Sequence, residues 1–184
     1  LNSALEQKYA VHDPDKRVAL RLRCYAHKWR NIEDALGKES KAATEAASLF
    51  WAMRDAKDAV EARAHATALK RVLRKANMSA LRSFEEAETD LLLLHSLGLS
   101  QQLKRFFSTT NPIESLNSLL EEDLRRVKRW RDSEHFQRWL ATAALTNEKR
   151  MRRIRGFTGL DMLLKTLARM TIKVQQLDVL KKVA

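Results

Sequence analysis

The chain has 184 residues, 45% hydrophobic and 32% charged, a balance that supports a sizeable buried core and excludes a disordered chain. Only four Gly and two Pro are present, too few for a fold of many short strands and tight turns, so helix should dominate. Thirty-five Lys and Arg against 23 Asp and Glu give a formal charge of +12, which favours polyanionic partners, nucleic acid first among them.

In chain order, residues 1–9 read as the end of a helix and His12–Asp15 as a turn. Val18, Leu20, Leu22 and Cys24 then alternate with Ala19, Arg21 and Arg23, the two-residue period of a β-strand. Tyr25 to Gly37 reads as a short helix closed by glycine. Residues 39–76 are Ala-rich and predict two helices meeting near Asp55, with Phe50, Trp51, Val60, Leu69, Val72 and Leu73 as buried positions. Asn77 is placed to cap a further helix that stops at Gly98. A single strand has no partner for its backbone N–H and C=O groups, and the chain opens without an initiating Met. It therefore reads as one part of a longer protein whose sheet lies mostly upstream.

No run approaches the roughly 18 apolar residues that cross a bilayer, and the N-terminus has neither a basic nor an apolar leader region. The expected location is cytoplasmic, with no membrane partner. Cys24 is the single cysteine, which excludes an internal disulfide and fits a reducing compartment.

The stretch NPIESLNSLLEEDLRRVKRW predicts a helix with Asn111 at the N-cap, Pro112 at the first helical position and Glu114 at the third, close to a capping box. Ile113, Leu116, Leu120, Leu124 and Val127 form its apolar stripe, while Glu114, Asn117, Glu121, Arg125 and Lys128 share another face. Glu114 thus has two readings. It can cap its helix, or it can present a carboxylate to a metal above a basic tail suited to a phosphate backbone. Cys24 and His27 stand three apart and could share a metal, but Zn²⁺ takes four protein ligands, or three and water, and no second cysteine exists. Local packing and hydrogen bonding is the plainer reading of that pair. His12, His65, His95 and His135 are scattered and form no pattern for nucleophilic catalysis.

Between Arg125 and Arg155 there are eleven Lys and Arg against three acids, so much of the positive surplus lies in 31 residues. One group is Arg125, Arg126, Lys128, Arg129 and Arg131; the other is Lys149, Arg150, Arg152, Arg153 and Arg155, placed at the end of a helix that stops at Gly156. Cations at helix C-termini explain a few of these charges. Ten of them point to DNA-phosphate contact that weakens as salt rises. Trp130 and Trp139 could stack on an unpaired base, although Trp139 is assigned to the core.

The segments TTNPIESLNSLL, VKRWRD, RWLATAA and EKRMRRIRGFTGLDMLL, with LRCYAHKWRN upstream, together resemble the C-terminal part of bacterial Mutator-type insertion-sequence transposases. The likeness covers nearly the whole chain and is most specific over residues 22–31 and 108–160. It implies a ribonuclease-H-like catalytic domain in which two Asp and one Glu hold Mg²⁺ or Mn²⁺, with an all-helical insertion before the Glu-bearing helix. Glu114 falls at the position of the catalytic Glu, and the two Asp are expected upstream of Leu1. Cys24, His27, Thr110, Asn111 and Asn117 belong to the matching motifs without an assigned role.

The expected fold is mostly α with one β-strand near the N-terminus, the C-terminal portion of a ribonuclease-H-like domain. Residues 1–31 would end its core, 32–106 form the helical insertion, and 107–184 supply the catalytic-Glu helix and basic helices. The implied activity is metal-dependent strand cleavage and strand transfer that moves an insertion sequence, with element ends and target DNA as partners and a homo-oligomer as the active complex. The setting is the bacterial cytoplasm, at the nucleoid when on DNA. One carboxylate cannot hold two metal ions, so this chain alone is expected to bind no metal tightly and to be inactive. The alternative is a non-catalytic, basic helical DNA-binding module or a regulatory remnant.

Overall fold

Small and aromatic residues of the Ala-rich front of the chain decide how its helices meet. The computed structural model describes residues 20–170. Within them lie α1 (Tyr25–Leu36), α2 (Lys41–Asp55), α3 (Ala59–Ala76), α4 (Met78–Ser96), α5 (Gln101–Phe107), α6 (Asn111–Leu124) and α7 (Ser133–Glu148). A 3-10 turn, Phe157–Gly159, and helical residues 160–170 follow. The helix end expected over 1–9, the turn at His12–Asp15, and Val18 and Ala19 lie outside the described residues.

The predicted starts and stops of the first four helices agree with the structure. Gly37 ends α1 at φ 82°, a left-handed angle that glycine adopts without steric cost. Ser40 accepts from the Ala43 N–H, and Asp58 accepts from the N–H groups of Val60 and Glu61. Asn77 Oδ1 accepts from Ser79 and Ala80 while its Nδ2 donates to the Ala35 carbonyl at 2.8 Å, so one side chain caps α4 and ties it to the end of α1.

Ala46, Ala62, Ala66, Ala80 and Ala87 are fully buried where α2, α3 and α4 approach one another. The larger filling comes from Phe50, which is ringed by Tyr25, Trp29, Trp51 and Phe84 at centroid distances of 5.3 to 6.4 Å. Leu69 and Leu73 are buried as expected, and Trp51 and Val72 pack half-buried at the edge. Val60 is the exception, 75% exposed. The inward face of α3 runs through Ala62, Ala66, Leu69 and Leu73, and a residue two before Ala62 points to the opposite side.

The expected strand does not form in its described part. Residues 20–24 have no regular secondary structure and belong to no ladder, since no neighbouring strand exists among the described residues. The alternation serves another purpose: Leu20 and Leu22 pack on the core, while Arg21 and Arg23 reach carboxylates of α4.

α6 has no fully buried residue, and Ile113 at the head of its predicted stripe is 63% exposed. On α7 only Ala143 and Asn147 are buried, and Trp139, expected in the core, is 44% exposed with its indole N–H donating to His135 Nε2 at 3.0 Å. The two helices cover chiefly each other, which leaves their outer apolar positions open. α7 also ends at Glu148 rather than near Gly156. The N–H groups of Arg150 and Met151 turn back to the carbonyls of Asn147 and Glu148, and residues 149–155 continue without helix. Gly156, at φ 79°, lies so close to α5 that a Cβ would come 3.0 Å from Gln102 Cβ. The chain thereby returns to the first core, where Leu163 is buried and Ile154 and Leu160 pack. Among the described residues, no helix is long and apolar enough to cross a membrane.

Candidate active site

Residues 21–28 are clamped to α4 before they reach α6. Arg21 Nε donates to Asp90 Oδ2 at 2.7 Å, and Arg23 pairs with both Asp90 and Glu86. The Lys28 ammonium, buried on α1, donates to Glu86 Oε2 at 2.9 Å and to the Ser83 carbonyl at 3.0 Å. The Lys28 hydrogen bond, with the nearby Arg23 charge, holds the Glu86 carboxyl below its usual range. Tyr25 adds a hydrogen bond from its hydroxyl to the Leu91 carbonyl at 2.9 Å, and burial raises its phenol well above the ordinary range.

The same segment is stitched to the start of α6: the Tyr25 N–H donates to the Ser108 carbonyl at 2.8 Å. Thr110, not Asn111, is the N-cap residue, and it makes no side-chain capping bond. Asn111 is already helical, with its N–H donating to Thr109 Oγ1 at 3.2 Å. Pro112, next in line, has no N–H to cap. The capping box expected between Asn111 and Glu114 is therefore replaced by a different contact. The Thr110 hydroxyl donates to Glu114 Oε1 at 2.6 Å.

That hydroxyl is the meeting point of the motif residues. It lies 3.5 Å from Cys24 Sγ and 3.4 Å from His27 Nδ1, and His27 Nε2 stands 3.8 Å from Glu114 Oε1. Cys24, His27, Thr110 and Glu114, which span 90 positions of the chain, thus share one cluster. Burial pushes the Cys24 thiol up, but hydrogen bonding to the Thr110 hydroxyl and to the backbone of His27 and Thr110 outweighs it and brings the thiol to about 7. The His27 and Glu114 side chains are each about half exposed, so the cluster opens to solvent. Asn111 and Asn117 are exposed on α6 and remain outside it.

Glu114 offers oxygen of the kind Mg²⁺ takes. Among the described residues, however, no three His, Cys, Asp or Glu side chains are set to hold a metal ion. Glu114 fits as one ligand of a magnesium site, and the described residues do not make such a site alone.

The ten basic candidates, Arg125, Arg126, Lys128, Arg129, Arg131, Lys149, Arg150, Arg152, Arg153 and Arg155, are all exposed. The two runs begin side by side, because Asn147 Nδ2 near the end of α7 donates to Asp123 Oδ2 near the end of α6 at 2.7 Å. Among the described residues, three of the ten have a side-chain partner: Arg131 donates to Asp132, Arg150 to Asn147 Oδ1, and Arg153 lies 4.6 Å above the Phe157 ring. Trp130 packs edge-on against Phe136 at 5.1 Å, with His135 beside it.

Sequence reasoning missed the carboxylates that fix the cluster. Glu86 and Asp90 are four apart on α4, and the two arginines set among apolar residues at 20–24 were the available signal for an acidic partner. The Asp123–Asn147 link had no comparable sign.

A family model described as a transposase of the Mutator family matches residues 16–152, which include the whole cluster and eight of the ten basic candidates. The chain belongs to the Mutator family of transposases. Membership in a transposase family implies DNA as a partner for this Mutator-family chain. Comparison with curated proteins and with solved structures gave no match.

Proposed function

We propose that this Mutator-family chain is the catalytic-glutamate part of a transposase that cuts DNA at the ends of an insertion sequence and joins them to a target. The observation that carries the reading is the half-exposed Glu114 carboxylate, held by Thr110 beside Cys24 and His27. In the reaction, water attacks the phosphodiester at an element end and releases a 3′-hydroxyl. That hydroxyl then attacks a target phosphodiester and displaces the target's own 3′-oxygen. A divalent cation, Mg²⁺ or Mn²⁺, supplies charge stabilisation to the attacking and leaving oxygens when bound. Glu114 contributes one carboxylate to that site, within a ribonuclease-H-like domain whose two Asp lie upstream of Leu1.

The remaining residues hold the substrate. The exposed cations that begin together at the ends of α6 and α7 suit the closely spaced phosphates of a duplex. Joining two ends calls for two active sites, which is the case for a homo-oligomer in the working complex. In a transposase that carries the upstream segment, Glu114→Gln should abolish strand cleavage while DNA binding and helical content persist. Unimpaired cleavage would overturn the assignment.

A second reading applies to the 184-residue chain by itself: a basic module that binds DNA without cutting it. Its support is that, among the described residues, Glu114 is the one carboxylate of the cluster. Salt-sensitive duplex binding without nicking is the expected result, and metal-dependent nicking by this chain would refute it.

A further inference from the structure

We infer that Thr110 is a positioning residue, whose hydroxyl couples the Glu114 carboxylate to the Cys24–His27 pair. The catalytic consequence rests on reading Glu114 as the site carboxylate, but the coupling does not. A threonine hydroxyl has one proton and two lone pairs. At 2.6 Å that proton belongs to Glu114 Oε1, in a short charge-assisted bond. Cys24 Sγ, the hydroxyl's other acceptor, stands at 3.5 Å and takes only the weaker share of that proton, while a lone pair faces His27 Nδ1 at 3.4 Å. With Nδ1 protonated, donors run in one direction from His27 through Thr110 to Glu114.

Thr110 forgoes the ordinary work of its position. A threonine at an N-cap usually accepts a backbone N–H of the first turn, and Thr110 makes no such bond. It is committed to a carboxylate one turn along instead. The bond holds one oxygen of a half-exposed, flexible side chain, and Oε2 makes no hydrogen bond to the protein among the described residues. An anchored Oε1 beside a free Oε2 is the arrangement a ligand-binding carboxylate needs. The far side of the bridge is rigid, because Arg21, Arg23 and Lys28 fix the Cys24–His27 segment to Asp90 and Glu86 of α4. The helical bundle therefore reaches the carboxylate chiefly through the Thr110 hydroxyl, with His27 Nε2 farther off at 3.8 Å.

Cys24 is the only cysteine, so its alkylation rate with iodoacetamide at fixed pH and high salt reports on this bridge alone. Glu114→Ala removes the acceptor and frees the hydroxyl proton for Sγ. Alkylation should speed up about fivefold, in line with one net hydrogen bond. The same acceleration should persist in a Thr110→Ser background and fall to less than about twofold with Thr110→Val. Circular dichroism on each variant confirms folding, and the serine variant keeps the test alive if the valine variant unfolds. No acceleration by Glu114→Ala, or an equal one with and without the hydroxyl, would overturn the inference.

In a transposase carrying the upstream segment, Thr110→Val should lower kcat for strand cleavage about tenfold with KM for DNA unchanged, and Thr110→Ser should restore it. Should Glu114→Gln leave cleavage intact while the alkylation coupling holds, the functional reading fails and the bridge stands. Absent coupling alongside a cleavage-dead Glu114→Gln would overturn the bridge and leave the functional reading standing.

Discussion

Arg21 and Asp90, 69 positions apart, meet with Nε and Nη2 of the arginine both on Oδ2, at 2.7 and 2.5 Å. Their side chains are only 10% and 16% exposed, and Nη1 of Arg21 is buried without a hydrogen-bond partner among the described residues. The pair helps to hold a segment without regular secondary structure against α4. Asp90 also receives Arg23, so its loss strands Arg21 and leaves Arg23 to Glu86.

Breaking a buried pair costs more than the pair itself contributes, because the surviving charge stays in low dielectric. Asp90→Ala should destabilise the chain by about 2–3 kcal/mol. Differential scanning calorimetry would show this as a Tm lower by roughly 5–10 °C. Asp90→Asn, which keeps an acceptor at the same place, should lose less. Equal melting of the alanine variant and the parent would mean that Leu20, Leu22 and the Glu86 pairs hold the strap without Asp90.

His95 gives a pH dependence. It is 7% exposed at the end of α4, and neither ring nitrogen meets a hydrogen-bond partner of good geometry among the described residues. Burial, reinforced by the Lys104 ammonium, lowers its pKa below the ordinary 6.5; the Met53 backbone and Asp58 oppose this more weakly. The folded chain thus takes up this proton less readily than the unfolded one. The neutral-histidine contribution is fully present above 6.5 and is lost as pH falls below it. Urea melts should show less stability at pH 5 than at pH 7.5, with a smaller drop in His95→Leu. An unchanged drop would place its source elsewhere, in carboxylates such as Glu86 whose pKa is also lowered.

Much of the helical bundle was legible because its signals are local. Asn77 announces a helix start by side-chain chemistry, and Phe50, Leu69 and Leu73 announce the core by size. Val60 misled because the buried face of α3 is begun by Ala62 and Ala66, small residues that bury fully and weigh little in a hydrophobic count. At 20–24 the two-residue period was genuine, yet a strand also needs a neighbour, and that is not a property of the segment. Cys24, His27, Thr110 and Glu114 could be singled out by motif. Their meeting could not, since the Cys24–Thr110 contact joins positions 86 apart and depends on how the bundle between them folds back.

The replaced capping box also makes a stability prediction. Glu114 binds the Thr110 side chain and lies half exposed in the first turn of α6. Its remaining stabilising role is interaction with the helix dipole, on the order of 0.3–1 kcal/mol. Glu114→Ala in this chain should therefore cost less than about 1 kcal/mol in a chemical melt. A larger loss would restore the capping role that the geometry assigns elsewhere.

Asn147 is fully buried, donating from Nδ2 to Asp123 Oδ2 at 2.7 Å and accepting from Arg150 Nη1 on Oδ1 at 2.9 Å. If the adjoining helix ends set one continuous cationic surface, Arg125, Arg126, Lys149 and Arg150 act together on a duplex. Replacing all four by Gln should reduce the slope of log K against log salt by about one for each phosphate no longer neutralised. Asn147→Asp would set two carboxylates against each other, loosening the junction while leaving those four cations in place. Its DNA affinity should fall together with its melting temperature. Full affinity in a destabilised Asn147→Asp chain would show that each basic run meets DNA independently, whereas a slope unmoved by the fourfold change would place the phosphate-binding role on other residues.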